Sequence, residues 1–66
     1  MRRKLRWILS SPEGEQIRSG LSFGAFDHAQ AIERALSVAS PAHGDHLDVY
    51  VDGAHVCSMR VEAQAS

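Results

Sequence analysis

The side chains in this chain that could do chemistry are four histidines, one cysteine and eight carboxylates, and their spacing decides what they can do. The densest group of metal-ligand types is the run HGDH, His43 to His46 with Asp45 inside it. A structural zinc site wants four ligands, usually with thiolates among them. The remaining donors His28, His55 and Cys57 fall on different predicted elements, so the run reads as a polar loop turned at Gly44 and no metal is expected. Cys57 beside a histidine has the ingredients of a nucleophile and its base, but strand alternation points it inward, where a thiol acts as a small hydrophobe. Glu13 and Glu15 flank a turn and not a cleft, which leaves paired-carboxylate chemistry without a pocket. The run GLSFG, Gly20 to Gly24, lacks both the spacing and the lysine of a phosphate-binding loop; it reads as the crossover from sheet to helix. No catalytic residue, cofactor or small-molecule substrate is therefore predicted, and the expected class is a non-enzymatic binding protein.

The elements that carry these residues follow from periodicity. In KLRWILSSPEGEQIRSG, Pro12 presets φ and Gly14 tolerates positive φ, so a Ser-Pro-Glu-Gly turn joins two strands. On the first strand Leu5, Trp7 and Leu9 share the buried face; on the second, from Gln16 to Leu21, Ile17 and Leu21 fit an inward set. From FDHAQAIERALSVASP the period becomes helical: Ala29, Ile32, Leu36 and Ala39 form one stripe, widened by Ala35. Asp27 and Gln30 make a capping-box pattern, Phe26 precedes the cap where an apolar residue packs back on the helix, and Pro41 stops it, which predicts a helix over 28–39. The closing stretch LDVYVDGAHVCSMRV predicts a hairpin over 47–62 with Leu47, Val49, Val51, Cys57, Met59 and Val61 inward. A bare two-residue Asp52-Gly53 turn would pair odd with even positions and mix the faces, so a three-residue loop or a bulge is required. The sum is a single α+β domain over 1–66, ordered ββαββ: a four-stranded antiparallel sheet with one helix on one face and the other face open.

Length and composition narrow the class. A chain of 66 residues buries only about 60% of its unfolded surface, so self-association or a tight partner is a natural supplement. With 44% hydrophobic and 23% charged residues the chain is that of a globular protein and not of a disordered one. A lone cysteine favours a reducing compartment, and the start MRRKLRWILSS has too short an apolar run for a signal peptide, so a cytoplasmic protein without a membrane segment is expected.

The net charge of −1 conceals a division. Arg2, Arg3, Lys4 and Arg6 stand at the start, with residues 1–4 read as a basic arm, while from Trp7 onward eight acids face only Arg18, Arg34 and Arg60. Asp45, Asp48 and Asp52 gather on the last hairpin and its entry, Asp48 and Asp52 beside Tyr50 on the outward face and Arg60 near them. That set predicts docking to a basic protein, such as a nucleic-acid-binding complex, by complementary potential. The alternative is a nucleic-acid-binding module led by Arg2, Arg3, Lys4 and Arg6, whose charges neutralise phosphates. Ile8, Val56 and Tyr50 are expected on the outer face as an apolar centre within a polar rim, which suits a homodimer or a partner site equally; of Phe23 and Phe26 at least one is expected in the core, and Phe23 would be an interface anchor only in the alternative that it is exposed.

The succession RWIL, FDHAQAIERAL and LDVYVDG resembles short bacterial and phage proteins with a two-strand, helix, two-strand layout. In size, acidic body and lack of catalytic motifs the chain also looks like the small inhibitors that phages and mobile elements direct against host enzymes, the anti-CRISPR proteins among them. That resemblance implies a class of action, binding and blocking, and assigns no residue.

Overall fold

A computed structural model describes residues 2–62; Met1 and residues 63–66, the ends of the expected 1–66 domain, lie outside them. The elements are β1 (Arg3–Ser10), β2 (Gln16–Gly24), α1 (His28–Ala39), β3 (His46–Val51) and β4 (Ala54–Arg60), the ββαββ order expected. They form one antiparallel sheet in the order β2-β1-β3-β4, with α1 on one face. Arg3 and Lys4, expected in a free arm, are the first residues of β1, an interior strand.

The core lies between α1 and the two inner strands: Leu5, Trp7 and Leu9 of β1, Leu47, Val49 and Val51 of β3, and Ala31, Ala35 and Ala39 of α1 are all buried. The helix thus meets the sheet through alanines at i, i+4 and i+8, a stripe rotated from the predicted one. Ala29 is exposed, and Ile32 and Leu36 are only half-buried. Alanine lets the helix sit close, and the leucines and Trp7 supply the volume. The start of α1 is the expected capping box, with Asp27 Oδ1 accepting from Gln30 N at 2.8 Å and Gln30 Oε1 accepting from Asp27 N at 3.0 Å. Its end has no basic residue in the last turn. Arg18 of β2 fills that role, donating from Nη2 to Ala39 O at 2.8 Å, where the helix dipole favours a cation.

Each hairpin contains one bulge. In β3–β4 a two-residue turn with Asp52 (φ 53°) and Gly53 (φ 82°) pairs Val51 with Ala54, and Val56 is the extra residue, after which Val49 faces Cys57 and Leu47 faces Met59. The bulge therefore reconciles the Asp-Gly turn with an apolar face, as the parity of the sequence demands. Val56 itself packs against the core and not on the outer face expected for it. In β1–β2 the extra residue is Ile17, between the pairs Ser10–Gln16 and Leu9–Arg18. Beyond it Trp7 faces Gly20 and Leu5 faces Ser22, so Arg18, Gly20 and Ser22 point to the helix side while Leu21 and Phe23 point away. The predicted inward set of Ile17 and Leu21 is overturned: they are 49% and 58% exposed, and Phe23 60%. The physical reason is Trp7. A Cβ on Gly20 would stand 2.6 Å from the indole, so only a residue without a side chain fits opposite it.

Candidate functional site

The face of the sheet away from α1 carries no covering element among the described residues, and the register assembles it in rows of directly opposed residues. One row runs Leu21, Arg6, Tyr50, His55; the next runs Ser19, Ile8, Asp48, Ser58; Phe23 with Lys4 lies to one side and Ser10 with His46 and Arg60 to the other. Opposed residues have Cβ atoms only about 4.5–5.5 Å apart, so each row is a contiguous strip. Tyr50 and His55 touch, with ring centroids 5.1 Å apart and planes tilted by 48°. Between β1 and β2 the face sinks into a shallow depression of about 470 Å³ lined by Lys4, Arg6, Ser19, Gly20 and Leu21. A second hollow, about 440 Å³, lies beside α1, where the Arg34 guanidinium sits 5.8 Å over the Phe26 ring.

The structure separates the acids that the sequence groups. Asp45 is 6% exposed and its Oδ2 accepts from Ala42 N at 2.9 Å, closing the loop before β3. Asp52 occupies the left-handed position of the β3–β4 turn and its Oδ1 accepts from Lys4 N at 2.9 Å, tying that turn to β1. Asp48 alone of the three stands in a row of the open face, with Oδ1 3.4 Å from His55 Nε2. Tyr50 is half-buried in the neighbouring row and Arg60 is exposed at the far edge. Of the basic residues, Lys4 and Arg6 project on the open face, Arg3 pairs with Gly24 and is half-buried toward the other side, and Arg2 is exposed just before β1.

In its rows of opposed residues the open face thus carries Lys4, Arg6 and Arg60 against the carboxylate of Asp48, with Asp52 held on Lys4 N at the neighbouring turn, and two aromatic rings, Phe23 and Tyr50. Leu21, Ser19 and Gly20 join Lys4 and Arg6 in the depression, a group that sequence reasoning missed because the Ile17 bulge reverses the strand. The available signal was Gly20 itself, a strand residue with no side chain to meet the tryptophan opposite it. Among the described residues no three His, Cys, Asp or Glu side chains converge as metal ligands, and no helix is long and apolar enough to cross a membrane. Comparison with known proteins gives no match to a family model, a curated protein or a solved structure.

Proposed function

We propose that this protein is a non-enzymatic binding module that engages single-stranded nucleic acid on the open face of its sheet. The observation that carries the reading is the excess of Lys4, Arg6 and Arg60 over Asp48 on a face that also exposes Phe23 and half-exposes Tyr50. Cations on such a platform neutralise phosphates, and aromatic rings stack on unpaired bases of any sequence. A flat sheet suits a strand whose bases are splayed and is poorly shaped to enter a duplex groove. The depression beside Leu21 has two cations in its lining, which fits a base against Leu21 with phosphates at Lys4 and Arg6.

The test is fluorescence anisotropy with labelled single-stranded RNA and DNA, a duplex control, and a salt series. Single strands should bind with a negative slope of log affinity against log salt, and the double reversal K4E/R6E should abolish binding. Phe23→Ala should weaken it roughly tenfold to a hundredfold, the loss of one stacked base. A face that binds no strand, or binds equally after the reversal, refutes the reading. A second reading, blockade of a basic nucleic-acid-handling protein as the phage-inhibitor resemblance implies, draws support from the outward Asp48 and its neighbour Tyr50. It predicts instead that Asp48→Lys abolishes a salt-sensitive protein complex that K4E/R6E leaves intact.

A further inference from the structure

The two edges of the sheet are unlike. β4 is seven residues long, broken by the bulge at Val56, and carries the charge of Arg60 at its end, which are the devices that discourage strand addition. β2 is nine residues long and regular from Arg18 to Gly24, with its single bulge at the start. It contains no proline, no lysine and no acid; its one charge, Arg18, is turned back onto the end of α1.

The phase of its hydrogen bonds can be fixed. Asp52 N donates to Lys4 O at 2.8 Å, so the even residues of β1 direct their backbone groups toward β3 and the odd ones toward β2. Leu5, Trp7 and Leu9 are opposed by Ser22, Gly20 and Arg18, which are therefore the β2 residues bonded to β1. The N–H and C=O groups of Ser19, Leu21 and Phe23 point out of the sheet, and these residues also hold the exposed side chains of Leu21 and Phe23.

We infer that β2 is a homodimer interface: a second copy adds its own β2 antiparallel across a two-fold axis at Leu21, making one continuous eight-stranded sheet. In that register Leu21 opposes Leu21 of the second copy, and Ser19 opposes Phe23. The Leu21 pair and the two symmetry-related Ser19–Phe23 pairs each exchange two hydrogen bonds, because both partners aim the same groups at the axis. The occupant is a second copy because the strand matches itself in length, in phase and in charge. Each Arg18 faces Gly24 of the other chain and lies about 20 Å along the strand from the other Arg18, at about 3.4 Å per residue, so no like charges meet. Leu21 and Phe23 of both chains join on the open face as one apolar strip, and this inference stands whether or not that face takes nucleic acid.

Sedimentation velocity on the full chain without ligand, over a range of concentrations, tests it. The mass should rise from 7.2 kDa toward twice that value. Leu21→Lys, which sets two lysines face to face at the axis, should hold the chain at the single-chain mass. Leu21→Pro should do the same, since it removes only an outward donor. Amide exchange on the unaltered protein avoids dependence on either variant folding. Protection at Ser19, Leu21 and Phe23 should grow with concentration while Gly20 and Ser22, already bonded to β1, stay unchanged. A chain that remains at 7.2 kDa at every concentration, or a dimer in which those three amides exchange as fast as in the monomer, overturns the inference.

Discussion

The two hairpins of this sheet contain the same irregularity with opposite results. In β3–β4 the extra residue Val56 brings Cys57 and Met59 round to the core side; in β1–β2 the extra residue Ile17 turns Leu21 and Phe23 away from it. Because side chains alternate with a period of two, one inserted residue reverses the face of everything after it. The lesson is that apolar content does not by itself decide which face of an edge strand is buried. In β2 the decision falls to the room left under α1, where Trp7 fills the space and a glycine must lie opposite. The apolar residues go outward, and the surface they make is the most distinctive feature of the molecule.

The strongest test of that contrast sets one leucine from each hairpin side by side. Leu47 of β3 is fully buried and Leu21 of β2 is 58% exposed. Leu47→Ala should lower unfolding free energy by about 2–5 kcal/mol, through lost burial and the cavity left behind. Leu21→Ala, at a concentration that keeps the chain monomeric, should change it by no more than about 0.5 kcal/mol. Urea titration followed by Trp7 fluorescence measures both. Comparable losses at the two positions would mean that Leu21 is inside and that the strand is registered the other way.

Gly20 probes the cause of the reversal. Gly20→Val places a branched side chain where even a Cβ approaches Cζ2 of Trp7 to 2.6 Å and Cε2 to 2.7 Å. Overpacking of this kind costs about 1–3 kcal/mol, visible as a lower urea midpoint. Combining it with Trp7→Leu should recover part of the loss, since the indole is what the side chain meets; equal loss in both backgrounds would locate the strain elsewhere.

How far the sequence could be read follows the same division. The helix cap, its stop at Pro41, the inner strands and the parity argument for a bulge near Asp52-Gly53 all rest on local rules, and the ββαββ fold follows from them. The direction of β2 rests on a long-range fact, that Trp7 and Gly20 are opposed, which no window along the chain contains. The same limit applied to the acids. Asp45, Asp48 and Asp52 look alike as a cluster of charge, yet two of them are tied to backbone N–H groups at Ala42 and Lys4. A short carboxylate beside a turn is as useful for closing that turn as for meeting a partner.

That distinction between acids gives the smallest of the expected effects. Asp52 does two structural things: it adopts φ 53°, which Asp and Asn tolerate better than Ala, and it accepts the Lys4 N–H. Asp52→Ala should therefore destabilise by about 1–2 kcal/mol, and Asp52→Asn, which keeps both the conformation and an acceptor oxygen, should be near neutral. Asp48, on the open face beside His55 at 3.4 Å, should tolerate Asn within about 0.5 kcal/mol, as surface positions usually do. Thermal melts of the three variants measured together separate geometry from charge. If Asp52→Asn proves as damaging as Asp52→Ala, the negative charge itself is what β1 requires at the turn. The basic residues of the open face would then be held in balance by Asp52 as well as by Asp48.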